Sequence, residues 1–227
     1  MTIVLYSCSS SISDAEGKKY DTVEIGSQIW LTKNLNSAKF LNGDDIKHVY
    51  DSEQWMQSIR NSTPAWCYYE FNDSLGEVYG KIYNVFAVMD KRGIAPEGFR
   101  IASNEDWNKL IDSIGLTKAY VKLREKGTEH WFDDKKKATN ETMFTAIPGG
   151  YGYGKEKRAG TGLKFEGLGS TASWWSSTIE KTGTNNRYAL NGNSRLDKMA
   201  SRVWDGHYVR CVKTSENKDK SDFYQML

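Results

Sequence analysis

Three histidines and three cysteines are the residues in this chain best suited to nucleophilic, acid–base or metal chemistry. His48, His130 and His207 are dispersed, and none stands at the spacing of a nucleophile–base–orienter set. His130 beside Trp131 and His207 beside Tyr208 read as loop or strand-end residues that hydrogen-bond locally. The chain has no HExxH, no CxxC and no Walker glycine loop. The glycine-rich "PGGYGYG" (residues 148–154) is not followed by a helix, so it makes no phosphate cradle and reads as a tight turn.

The cysteines differ in setting. Leu5-Tyr6-Ser7-Cys8 resembles a bacterial lipobox, with an aliphatic residue three places before the cysteine and a small one just before it. The segment in front lacks a basic region and is short of the ~7–15 apolar residues of a signal. Residues 1–7 are expected to be the remnant of a lipoprotein signal peptide, with Cys8 acylated and Ser9 directing the protein to the outer membrane or cell surface. Lipidation anchors a chain to the membrane without spanning it. An exported protein folds where thiols oxidise, so Cys67 and Cys211 are either a disulfide or two buried free thiols.

Composition narrows the class. With 31 Lys+Arg against 29 Asp+Glu, the balance argues against a nucleic-acid partner, which usually requires a basic stripe. Eight Trp, thirteen Tyr and twenty Gly against three Pro point to a loop-rich, largely β domain. No apolar run approaches the ~20 residues of a spanning helix.

Along the chain, residues 8–19 read as a polar tether, 20–213 as one domain and 214–227 as a frayed tail. Val23 and Ile25, then Ile29 and Leu31, alternate with polar residues across Gly26-Ser27, which is a hairpin signal. A short helix is expected at 51–59. An aromatic strand "AWCYYEF" follows, ending at a turn, Asn72-Asp73-Ser74. Ile82, Val85, Phe86 and Met89 make a helical stripe. Ser103 and Asp106 form a capping box in front of Trp107, Leu110, Ile111 and Ile114, which share one helix face. Residues beyond Gly115 read as long loops, and "ASWWSSTI", "RYALN" and "SRVWDGHYVRCVK" as late strands. Early helices with strands at both ends give an α+β class, with the first and last strands placed to pair.

Seven segments in order extend this reading: "GSQIWLTKNLN" (26–36), "PAWCYY" (64–69), the run 79–107, "KGTEHW" (126–131), "ATNETMFTAIPGGY" (138–151), "WWSST" (174–178) and "YVRCVK" (208–213). Together they resemble the Fibrobacter succinogenes major paralogous domain family over residues 22–213. The resemblance implies an exported protein or lipoprotein of the kind found in Fibrobacteres and Bacteroidetes. It also implies a C-type-lectin-like fold, with paired terminal strands, two early helices and a long loop-rich middle, and a role in adhesion or ligand display. The family's Gly-Trp-His-Val/Leu-Pro-Ser stands here as residues 98–103, Gly-Phe-Arg-Ile-Ala-Ser, so the aromatic position and the cap persist without the histidine and proline.

The formylglycine-generating enzymes are similar at residues 101–107, Gly149-Gly150 and 208–211. Their oxidation needs two reactive cysteines close together, and only Cys211 lies in a matching segment. A non-catalytic binding module for carbohydrate or a surface protein is therefore expected. A structural component of a surface assembly is the alternative, and an oxidase stands a distant third. The C-type lectins' Glu-Pro-Asn and Trp-Asn-Asp calcium motifs are missing. Asp133-Asp134, Asn140-Glu141 and Asp205 offer hard oxygens, but scattered loop acids read as solvated surface, so no metal or cofactor is expected.

Exposed aromatics beside charges are the remaining binding signal. The candidates are Trp131, Trp174, Trp175, Arg187, Tyr188, Trp204 and Asp205. Trp174 and Trp175 are consecutive in a strand, so one is expected to face inward and the other outward.

Overall fold

The computed structural model describes residues 12–133, 137–155, 162–181, 183, 185–191 and 195–214. Strands β1 (Ile12–Ser13) and β2 (Lys19–Tyr20) pair as a small hairpin, Ile12 opposite Tyr20. Asp14 shapes the turn. Its Oδ1 accepts from the backbone N–H of Glu16 and Lys18 at 2.9 and 3.0 Å, and its Oδ2 accepts from the Tyr20 hydroxyl at 2.7 Å. The expected tether over 8–19 is thus folded from residue 12 on, because one aspartate supplies the turn that a flexible linker lacks. The signal remnant 1–7, Cys8 and the tail beyond Thr214 lie outside the described residues.

The expected hairpin forms from β3 (Thr22–Ile25) and β4 (Gln28–Leu31), with Ile25 opposite Gln28 and Gly26 at positive φ in the turn. Strand β5 (Lys47–His48) leads to α1 (Ser52–Arg60), which is capped by Asp51 accepting from Gln54 N at 2.8 Å and buries Trp55, Met56 and Ile59. The aromatic run is a strand only over β6 (Ala65–Cys67). Asn72, read from sequence as a turn residue, instead caps α2 (Asp73–Tyr79), accepting from Ser74 N at 2.9 Å. The stripe that follows divides into β7 (Ile82–Tyr83) and α3 (Val85–Met89), with Asn84 capping the helix. Next come β8 (Phe99–Ile101) and α4 (Asn104–Ile114), and the capping box of α4 is complete: Ser103 N donates to Asp106 Oδ2 at 2.8 Å, and Asp106 N donates to Ser103 Oγ at 3.3 Å.

The middle is more regular than expected. It holds a short helix, α5 (Ala119–Leu123), and two strands, β9 (Gly149–Lys155) and β10 (Gly162–Leu168). The glycine-rich run is therefore a strand and not a tight turn. Space explains its composition: a Cβ on Gly149 would stand 2.6 Å from the Tyr208 hydroxyl, and one on Gly154 would stand 2.6 Å from the Trp204 ring. Strands β11 (Thr171–Ile179), β12 (Asn185–Asn191), β13 (Leu196–Ser201) and β14 (Cys211–Lys213) complete the chain. The run 201–213, read as one strand, is strand only at its two ends.

The fold is α+β. One sheet has the order β10-β9-β11-β12-β13, another β3-β4-β14-β8 and a third β5-β6-β7. Val212 of β14 pairs with Trp30 of β4, so the ends of the domain lie side by side as expected. Strand β11 divides two cores. Trp174 packs with Trp30, Trp55 and Trp107 on one side, and Trp175 packs with Trp66, Tyr83 and Val209 on the other. Among the described residues no helix is long and apolar enough to cross a membrane.

Candidate functional site

The aromatic residues expected at a contact face lie mostly inside. Trp174, Trp175 and Tyr188 have no exposed surface, and Trp131 is 2% exposed. Side chains of β11 do alternate, but both faces of the strand are covered, so neither tryptophan reaches solvent. Tyr188 stacks on Trp107 with ring centroids 5.2 Å apart, while Trp131 donates from Nε1 to Ala146 O at 3.0 Å and lies under the Arg124 guanidinium. Trp204 and Asp205 are half-buried. Asp205 is occupied by Ser201 Oγ at 3.0 Å and Arg202 N at 2.8 Å. Arg187 is half-buried over the Tyr151 ring.

Cys67 and Cys211 are both free and buried. They sit in different cores, so the disulfide alternative is set aside. The acids considered for calcium are not brought together. Glu141 pairs with Lys122, Asn140 hydrogen-bonds Thr145, and Asp134 lies outside the described residues.

A Ser–His arrangement unseen in the sequence does occur. His207 contacts Ser173 Oγ through Nδ1 at 3.1 Å and Ser201 Oγ through Nε2 at 2.7 Å. It is wholly buried, as is Ser173, and burial followed by the Arg187 charge holds its pKa well below the ordinary value. This is an internal brace between β11 and the last segment.

The groups that converge on open space lie elsewhere. A cleft of about 490 Å³ opens between the β1–β2 hairpin, the segment after β4, the end of α2 and the loop after α5. That volume falls within the ~300–1,000 Å³ of small-molecule sites. Lys18, Lys19, Lys33 and Glu77 stand at its rim, with Glu125 and His130 opposite. The His130 ring nitrogen Nδ1 lies 2.8 Å from Glu125 Oε2. Glu125, Glu129 and His130 also bring potential metal-ligand atoms within 4.8 Å of one another.

Arg210 lies at the floor and has no exposed surface. Its Nη1 donates to Leu31 O and Phe144 O at 2.9 and 2.8 Å, and its Nε donates to Asn34 Oδ1 at 3.2 Å. Burial pulls its pKa down to about 9, which leaves it a cation at neutral pH. Asn34 is the hinge of the site. Its Oδ1 also accepts from Trp174 Nε1 at 2.8 Å, and its Nδ2 donates to Tyr79 O at 2.9 Å. Trp174 therefore serves the cleft from behind. The sequence signal for Arg210 was a charge inside the apolar run "YVRCVK", where a cation is costly unless it is held.

A smaller hollow of about 300 Å³ beside α4 is lined by Gln28, Arg100, Asp106, Lys109 and Lys213.

A family model, the Fibrobacter succinogenes major domain, matches residues 23–213. No curated protein and no solved structure matches the chain. The match spans nearly all of the folded chain, including β4 and β14 and the cleft residues Lys33, Asn34, Tyr79, His130 and Arg210, and the chain belongs to the Fibrobacter succinogenes major domain family.

Proposed function

We propose that this chain is a non-catalytic binding module, displayed at the cell surface by lipid on Cys8, which takes a carbohydrate or a segment of a protein partner in the cleft. The observation that carries this reading is the cleft floor, where Asn34 is fixed by Trp174, Arg210 and Tyr79 at once. A side chain locked from three sides loses little freedom when a ligand arrives, which is what preorganised recognition requires. Paired terminal strands around a scaffold helix support the C-type-lectin-like assignment of the fold. The aromatic surface envisaged from sequence is replaced in this reading by a polar cleft with cations at its rim.

The test is a glycan array and a protein-capture screen with purified domain, with and without calcium, repeated on the double variant Lys33→Ala/Glu77→Ala. Both residues are exposed at the rim, so the fold is expected to survive. A ligand that binds the native domain and loses affinity for the folded double variant places contact at the cleft. A ligand indifferent to the double variant would move the site elsewhere, and silence in both screens would remove the binding reading.

A further inference from the structure

The charges around the cleft do not cancel. With Lys18 paired to Glu16, the cations Lys19, Lys33 and Arg210 line it against two carboxylates, Glu77 and Glu125, and Glu125 already faces His130. Among the described residues no hydrogen bond or ion pair engages the ammonium of Lys19 or Lys33, and both side chains are exposed. Arg210 is the more telling residue. A guanidinium has five N–H donors. Nε uses one and Nη1 uses two, all in buried bonds. Nη2 makes only a long contact, 3.4 Å to Thr145 O. Thr145 itself lines the cleft. Among the described residues this fully buried cation has no carboxylate partner, and one Nη2 N–H is left unused beside Thr145. Carbonyls and the Phe144 ring hold this buried charge without neutralising it, and an anion seated in the cleft above it would offset it at short range.

The acids limit what that anion can be. Glu77 and Glu125 would repel a closely spaced polyanion such as a nucleic acid or an acidic peptide. They would accept hydrogen bonds from neutral hydroxyls. We propose that the cleft binds an acidic sugar, a ring bearing one carboxylate or sulfate among several hydroxyls, with the anion at the Lys33 ammonium, above the buried Arg210 guanidinium. This rests on the binding-module reading above and names the ligand class of the same site.

Calorimetry of the whole domain tests it with three probes: an otherwise neutral oligosaccharide ending in one hexuronate ring, its carboxyl-reduced neutral counterpart, and the same neutral backbone carrying one sulfate. At least one acidic probe is expected to bind and the neutral one is not. Which acidic probe is tighter separates carboxylate from sulfate. Lys33→Glu should weaken that binding about five- to tenfold, beyond the effect of an ordinary exposed ion pair because it reverses the charge. Lys109→Glu, in the second hollow, should leave it unchanged. Because replacing Arg210 risks the fold, its role is read from the side-chain N–H resonances of Arg210, which should shift on titration with the acidic probe. Equal affinity for the neutral counterpart overturns the anion assignment while leaving a glycan-binding module intact. Binding of an acidic probe with unmoved Arg210 resonances, or loss through Lys109→Glu in place of Lys33→Glu, overturns the site. Silence from all three sugars overturns the ligand class, and the binding reading then stands or falls on the protein-capture screen.

Discussion

Lys18 Nζ and Lys81 Nζ donate to the same acceptor, the carbonyl oxygen of Asn36, at 2.7 and 2.9 Å. The first lysine belongs to the β1–β2 hairpin and the second to the segment before β7, so one carbonyl joins the start of the fold to its interior. Glu16 supports the pair by accepting from Lys18 at 3.1 Å and from Ala38 N at 2.6 Å. Lys81 is 2% exposed and its ammonium lies over the Trp66 ring.

This crowding has a pH signature. Burial first, and then Lys18, lower the Lys81 pKa from 10.5 to about 7, against the pull of Glu16 and Asp14. Between those two values the unfolded chain binds a proton that the folded chain does not, so stability rises with pH across that window. Lys81→Met removes this titrating group. Urea midpoints of native and Lys81→Met protein, compared from about pH 7 to about pH 9.5, should diverge in favour of the native chain as pH rises. A gap that does not change with pH would show that Lys81 titrates normally in the fold.

Trp107 anchors α4 to the larger core. It has no exposed surface, and its ring meets Trp30, Trp174 and Tyr188 at centroid distances of 4.9, 5.6 and 5.2 Å. Trp107→Ala should destabilise the domain by ~3–5 kcal/mol, measured by urea denaturation. An unchanged midpoint would mean that the helix is not the wall against which the β11 sheet packs.

Helix α4 was legible because its signals are local: a cap at Ser103, an answering acid at Asp106 and an apolar stripe that ends at Ile114. Helix α2 was misread because Asn72 accepts the same i+2 and i+3 backbone bonds in a turn as at a helix start. Strand β9 was hidden by glycines whose role is to admit Tyr208 and Trp204 across the sheet. The alternation of Trp174 and Trp175 was legible, but the second covering layer was not, since it comes from β7, α3 and β8 far away in sequence. The cleft was the least legible part. Its floor joins Asn34, Tyr79 and Arg210, residues separated by up to 176 positions, and only the misplaced charge at Arg210 marked it.

His207 gives an acid-side counterpart to Lys81. Its pKa is depressed by burial and by the Arg187 charge, and Ser201 stands between it and Asp205. Below the ordinary value of 6.5 the unfolded chain takes up a proton that the folded chain refuses, so stability falls as pH drops through that value towards the folded pKa. His207→Gln keeps hydrogen-bonding capacity without that titration. Stability of the native chain between about pH 7 and about pH 5 should fall more steeply than that of the variant. Equal slopes would assign the acid sensitivity to another group.

The two core thiols should be silent in the native protein. Cys67 lies in β6 against the larger core, and burial pushes its pKa up. Cys211 faces the smaller core, and there too burial raises the pKa, outweighing the neighbouring Arg210 charge. The thiolate is the reacting species, so both burial and protonation suppress attack on a disulfide reagent. In a Cys8→Ser background, an aromatic disulfide reagent should modify neither residue in native buffer and both after unfolding in guanidinium. Modification of neither under both conditions would reveal a bond between them, which their placement on opposite cores argues against. Rapid native reaction would instead mean that one core opens readily, and the cleft floor, one residue from Cys211, would then lack the rigidity that its hydrogen bonds imply.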